Sequence, residues 1–214
     1  MTTASLAAEA AVSAEADDSE KRRQIIDGAR AAFLARGFDA ASMGEIAREA
    51  GVSKGTLYAY FDSKEALFQA IVYEQCQRQA ERLFEFDHSD RDVETVLRRL
   101  GLGYVSFLCQ PARISAVRTV VGISDRMPEI GRRFYETGPM TGMARLAAYL
   151  DAQVAAGILE VEDTQIAAAQ FLESCAATML KAMLFASADP PKPERIERVV
   201  GIAVKTFLAA YRRG

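Results

Sequence analysis

Between Ala41 and Lys64 the chain reads A-S-M-G-E-I-A-R-E-A-G-V-S-K-G-T-L-Y-A-Y-F-D-S-K, and no other stretch constrains the fold as tightly. Ser42 with Glu45 three residues on is a capping box: the hydroxyl accepts from a free amide of the first turn while the carboxylate reaches back. Ile46, Ala47 and Ala50 place small apolar groups on one side of the helix so begun. Gly51 enters left-handed backbone without steric penalty, so the chain can leave that helix and turn sharply at Val52. Ser53 caps again, and Leu57 and Phe61, four residues apart, grip the first helix from a second that runs from Lys54 to Tyr60. Asp62 and Ser63 end it and cap the next.

Two capped helices about a glycine are what a helix-turn-helix requires, because the second must carry its first residues into a major groove while the first crosses the backbone. An ordinary helical hairpin shares those caps. Against it, the second helix spends its first turn on Gly55 and Thr56, poor helix formers that are small enough to let the backbone approach a base edge. The spacing leaves Lys54, Gly55, Thr56, Tyr58 and Tyr60 on outward faces. Residues 42–61 therefore read as a DNA-recognition unit.

The pattern extends upstream through Arg22-Arg23-Gln24-Ile25-Ile26-Asp27-Gly28-Ala29-Arg30-Ala31-Ala32-Phe33-Leu34-Ala35-Arg36-Gly37-Phe38 and downstream through Lys64-Glu65-Ala66-Leu67-Phe68. With these flanks, about residues 19–79 resemble the DNA-binding domain of TetR/AcrR-family transcriptional repressors. The resemblance implies an all-α protein with an N-terminal three-helix helix-turn-helix domain joined to a C-terminal helical domain for effector binding and dimerisation. It also implies that Ser42, Tyr60 and Lys64 touch phosphate while Lys54, Gly55, Thr56 and Tyr58 face the groove. The chain departs from many relatives, which carry a histidine at the position of Ala59 or Tyr60.

Charge is distributed in keeping with this. Residues 1–19 hold four acids and no Lys or Arg; residues 20–64 hold eight bases and six acids, a balance of +2; residues 65–214 hold eighteen bases and nineteen acids, a balance of −1. A chain with a net charge of −3 cannot bind DNA through bulk charge and needs placed phosphate contacts from two copies of the domain. Residues 1–18, rich in Ala, Ser, Thr and Glu without a basic start or a sustained apolar run, read as a disordered tail rather than a secretory signal. No stretch approaches the roughly 18–20 apolar residues of a membrane span, and Cys76, Cys109 and Cys175 lack metal-ligand spacing. These features predict a cytoplasmic protein with reduced, mostly buried cysteines and without metal or cofactor.

Beyond the reader, periodicity predicts a helix from Lys64 toward Phe86, a break at Asp87 to Asp90, and helices over 93–108, 112–121, from Pro128 to Tyr135, 140–156, 164–186 and 194–212. Residues 80–214 form the second domain on this reading. Ile196, Val199, Val200, Ala203, Val204, Phe207, Leu208 and Tyr211 make a broad apolar stripe on the last helix, part of which must be core, and the family resemblance implies that the last two helices of each subunit build a four-helix homodimer contact. Tyr104, Phe107, Met127, Phe134, Met143, Phe171, Cys175 and Met179, with Tyr135 and Met140, form a methionine and aromatic set of a kind more often core than pocket; the family resemblance implies a cavity in this region, which makes them the candidate walls of a site for a hydrophobic or aromatic effector. Arg113 and Arg118 are candidates for pairing an anionic ligand. His88, the only histidine, lies in a polar break, and no P-loop, H-E-x-x-H or Cys-base pattern supports an enzyme. The expected function is a ligand-released repressor on palindromic operator DNA; the alternatives are an architectural DNA protein without an effector and, more remotely, a small-molecule-binding helical enzyme.

Overall fold

The computed structural model describes residues 3–71 and 83–213. The chain divides into two compact units, Met1–Val72 and Tyr73–Gly214. Among the described residues all regular structure is helical apart from one isolated bridge between Leu159 and Arg212.

The first unit holds α1 (Thr3–Arg36), α2 (Met43–Glu49), α3 (Lys54–Tyr60) and α4, helical over 64–71. Helix α1 starts inside the segment assigned above to a disordered tail; that segment is alanine-rich, and alanine is the strongest helix former. Its C-terminal part buries Ile25, Ile26, Ala29, Ala32 and Phe33. Gly37, at φ +78°, turns the chain so that Phe38 returns onto Phe33 and Phe68, three rings whose centroids lie 5.1–5.6 Å apart. Lys64 extends its ammonium over the Phe38 ring.

Helix α1 meets the end of α2 at Gly28. A Cβ there would lie 2.4 Å from Cα of Ala50, so only a bare backbone permits the approach. Gln24 adds a side-chain donation to the Ala50 carbonyl at 2.7 Å. Just beyond, Gly51 at φ +66° donates to Arg48 O and Val52 donates to Ala47 O, the paired bonds of a Schellman cap.

The second unit contains α5 (Val93–Leu108), α6 (Pro111–Ile123), α7 (Pro128–Tyr135), a π-helical turn (Glu136–Met140), α8 (Thr141–Ala155), α9 (Thr164–Ala176), α10 (Leu180–Leu184) and α11 (Pro193–Tyr211). Helices α5, α8, α9 and α11 surround a core that includes Leu97, Leu146, Leu150, Phe171, Val204 and Phe207. Two buried polar side chains are satisfied at its end: Tyr149 donates to Asp90 O, and Gln153 accepts from Arg91 and donates to His88 O. His88 thus contributes a carbonyl to a structural network. Cys109 and Cys175 are free and buried, and burial pushes the Cys175 thiol up to about 12; Cys76 lies outside the described residues.

Two features differ from the periodicity, and on a third the structure decides between core and surface. The helix expected over 164–186 breaks after Ala176: Thr178 adopts φ +65°, its hydroxyl accepting from Arg195, and Met179 and Met183 turn into the core. Gly138-Pro139 neither stops nor sharply interrupts the helix; the wide π turn absorbs the proline, while Thr137 and Thr141 donate to the carbonyls of Arg133 and Glu136. The apolar stripe of α11 faces inward: Ile196, Val200, Ala203, Val204 and Phe207 are core, leaving Ile202 of α11 and Ile166 of α9 exposed.

The close approach at Gly28 makes a direct prediction. Gly28→Ala must push α1 and α2 apart against backbone rather than a yielding side chain, at a cost of roughly 1–3 kcal/mol. Urea unfolding of the variant measures this; unchanged stability would contradict the packing.

Candidate nucleic-acid interface and internal cavity

Both N-termini of the helix pair are built as the residue types require. The Ser42 hydroxyl accepts from Glu45 N at 3.3 Å, and the Glu45 carboxylate accepts from the Ser42 backbone N–H at 3.0 Å and from its hydroxyl at 2.8 Å. These bonds, with the charges of Arg36 and Arg48, hold the Glu45 carboxyl below its ordinary value. Arg36 also pairs directly with Glu45, tying the end of α1 to the start of α2. On α3, Ser53 Oγ accepts from Thr56 N at 2.9 Å and lies 2.8 Å from the Thr56 hydroxyl.

The candidate DNA contacts fall into two groups. Lys54, Gly55 and Tyr58 are exposed, with the Tyr58 ring half uncovered and the Lys54 stem lying across Gly44. Buried Leu57 anchors α3 from its other side. Ser42, Thr56, Tyr60 and Lys64 are engaged with protein: Ser42 and Thr56 in their caps, Lys64 donating to Asp39 O at 3.1 Å, and Tyr60 donating to Asp18 at 2.6 Å. The Asp18 carboxylate thus accepts a hydrogen bond from the Tyr60 hydroxyl and joins α1 to the end of α3. Position 18 was assigned to the tail, so nothing in its sequence marked this bond.

In the second unit, α5, α6, α7, α8 and α9 line a cavity of about 370 Å³, near the lower end of the roughly 300–1,000 Å³ typical of small-molecule sites. Tyr104, Phe107, Phe134 and Met143 line it, as does Tyr135, together with Arg113. Gly138, Pro139 and Gly142 bring the π turn and the start of α8 to its wall. Five expected wall residues lie elsewhere, among them Met140, which is exposed at the end of the π turn. Phe171, Cys175 and Met179 belong to the core, Phe171 packing edge-on against Phe207, and Met127 precedes α7 away from the cavity. Helix α9 turns Ala169, Leu172 and Glu173 to the cavity instead, a rotation that composition alone does not reveal when both faces are apolar.

The polar groups of the cavity are sharply placed. Arg113 is only 8% exposed, its guanidinium 4.7 Å from the Phe107 ring centroid and 5.3 Å from that of Phe134. Tyr104 is held up to about 12, by burial first and then by the negative charge of Glu173, so its hydroxyl stays protonated. Arg118 does not line the cavity; it donates to the carbonyls of Met183 and Leu184 at the end of α10. No helix among the described residues is long and apolar enough to cross a membrane.

Comparison with known proteins agrees with both units. Residues 95–213 match the family model described as the C-terminal domain of AefR-like transcriptional repressors, and residues 25–71 match that of bacterial regulatory proteins of the tetR family. A TetR-family transcriptional regulator from Mesorhizobium loti superposes with a TM-score of 0.81 at 28% identity, covering 91% of this chain and 98% of that one. The flavonoid-responsive regulator FrrA superposes at 0.76 with 34% identity and the same coverage. The transcriptional regulator UidR of Escherichia coli is 44% identical over 64 residues, which are 30% of this chain and 33% of its own. The chain spans about a third of the length of the curated relatives it matches. These relatives are transcriptional regulators and not enzymes.

Two outcomes test the geometry. Glu45 has a depressed folded pKa, so its contribution to stability is present above the ordinary glutamate value and is lost as pH falls through the depressed one. Ser42→Ala should return the Glu45 titration, followed by NMR, toward its ordinary value, and the melting-temperature gap from wild type should narrow in acid; a gap constant with pH would remove the carboxylate's part. Phe171→Ala should lower stability by about 3–5 kcal/mol as a core deletion. Met143→Ala, bordering space that already exists, should lose distinctly less in the same denaturation experiment, and equal losses would contradict the placement of the two.

Proposed function

The chain belongs to the TetR family of transcriptional regulators, and from that premise we propose that it is a cytoplasmic, homodimeric repressor released from a palindromic operator by a small aromatic effector. The observation that carries the DNA half is α3, anchored by Leu57 while Lys54, Gly55 and Tyr58 stand exposed beyond an N-terminal cap. In this reading Lys54, Gly55, Thr56 and Tyr58 meet the groove, and Ser42, Tyr60 and Lys64 meet phosphate, with a phosphate oxygen displacing Asp18 from the Tyr60 hydroxyl.

One such helix reads few bases. Two copies, held together through α9 and α11, would enter successive major grooves about 34–36 Å apart. The apolar stripe of α11 is core, so the contact between subunits falls to the exposed faces that carry Ile166 and Ile202.

The cavity supports the effector half and weighs against an architectural protein, which has no use for about 370 Å³ of lined space. The likeness to FrrA, described as flavonoid-responsive, points to an aromatic molecule. An effector that binds better to the form unable to span two grooves shifts the population away from DNA, and operator must then weaken effector binding by the same factor.

The DNA assignment is tested on the operator. Lys54→Ala and Tyr58→Ala should each weaken binding by about 1–3 kcal/mol in gel shifts, with unchanged circular dichroism. Wild-type affinity in both variants would refute the placement of α3 in the groove.

A further inference from the structure

We propose, resting on the reading of the cavity as an effector site, that its ligand is an uncharged aromatic of the phenol class, whose hydroxyl accepts from Tyr104 and donates to Glu173. Both residues line the cavity, on helices that pack closely against each other. A Cβ at Gly101, one turn before Tyr104 on α5, would lie 3.0 Å from Sγ of Cys175, which follows Glu173 by two residues on α9.

The Tyr104 ring is held in place by protein alone. It packs against the core and edge-on against Phe84, with centroids 6.1 Å apart. Its hydroxyl makes no hydrogen bond to any described residue, and a polar group withdrawn from bulk water with its donor unused forfeits what a partner would supply. Burial first, and then the negative charge of Glu173, hold this hydroxyl up to about 12, so it meets a ligand as a donor. The Glu173 carboxylate offers the complement, since it accepts and does not donate. A single ligand hydroxyl does both, and so serves the two groups together.

The charges on the wall favour a neutral molecule. Arg113 is not a spare cation: its guanidinium lies 4.7 Å from the Phe107 ring centroid and 5.3 Å from that of Phe134, and it is further engaged within the protein. At the Tyr104 hydroxyl the charge of Glu173 acts more strongly than that of Arg113. An anionic oxygen there would give up hydration to meet a carboxylate of its own sign, with no hydrogen to donate to it. An ammonium would answer Glu173 but cannot accept from Tyr104. A neutral hydroxyl incurs neither loss, and Phe107, Phe134, Met143 and Leu172 provide apolar surface for the ring that carries it.

The test is calorimetric titration of the full-length chain at neutral pH with naphthol, its methyl ether and naphthoate, which share a ring system and differ at the oxygen function. Naphthol should bind about fivefold more tightly than the ether, which accepts but cannot donate, and should exceed the anion by more. Tyr104→Phe should weaken naphthol about fivefold with unchanged circular dichroism. Should that variant fail to fold, Glu173→Ala at its exposed position decides, because it should narrow the advantage of naphthol over the ether and strengthen naphthoate. Naphthoate binding as tightly as naphthol, a naphthol affinity unmoved by Tyr104→Phe, or an advantage over the ether unmoved by Glu173→Ala would each overturn the phenol while leaving the cavity an effector site. Binding of none of the three compounds would overturn both.

Discussion

The contact between Gly28 and Ala50 governs the geometry of the first unit. Helix α3 is seven residues long, too short to hold a direction through its own hydrogen bonds, so it inherits one from its neighbours. Its path is determined by where α2 ends, and that end is set by three local facts: no side chain at Gly28, the Gln24 donation to Ala50 O, and the positive φ of Gly51. Arg36 on Glu45 secures the other end of α2 to α1. Helix α2 is thus fastened at both ends, and Leu57 then seats α3 beneath it.

The second unit divides labour between a close-packed core and a lined void. Where α5 meets α9 and α11, Gly101 leaves so little room that a Cβ would lie 2.7 Å from a Val200 methyl and 3.0 Å from Cys175 Sγ. Packing of that kind resists deformation, since any displacement opens a gap or forces an overlap. Cys175 is a filler there, and its raised thiol pKa keeps it unreactive. The cavity lies on the other side of α5 and α9, where one rotation of the helix separates core-facing Phe171 and Cys175 from cavity-facing Leu172 and Glu173.

How much of this was legible in the chain depends on whether the controlling chemistry is local. The Ser42 and Ser53 caps, the glycine turn and the start of α7 at Pro128 are each decided by residues within a few positions, and the structure has them where the residues place them. The break at Thr178 is decided elsewhere. No glycine or proline announces it, and it persists because Arg195 holds the threonine hydroxyl and two methionines gain burial beyond it. The cavity was half legible for a related reason: Tyr104, Phe107, Phe134 and Met143 were found by composition, but an apolar residue facing a void and one facing a core look alike in sequence. The stripe on α11 shows the same ambiguity, because core and interface demand the same periodicity. Arg113 stood out by its charge alone.

On the proposed reading as a ligand-controlled repressor, one wall has to yield while the rest does not, and the π turn has the features for that. Its hydrogen-bond pattern is wider than that of an α-helix, Pro139 lacks an N–H to close it, and Thr137 and Thr141 hold the neighbouring carbonyls by side chains that can rotate. Gly142, one turn on, lies against the Phe84 ring so closely that a Cβ would meet it at 2.7 Å. A molecule entering beside Gly138 and Pro139 would therefore press on a segment whose bonding is adaptable, and the resulting shift would reach Phe84 through a contact with no slack. Phe84 packs edge-on against Tyr104 and Phe86, and Phe86 stacks on buried Tyr149, so the displacement would be opposed by the core on that side. On the proposed reading, the contrast between an adaptable π turn and a packed core is what would let a small molecule do directed work, because a wall soft everywhere would absorb the ligand and a wall rigid everywhere would exclude it.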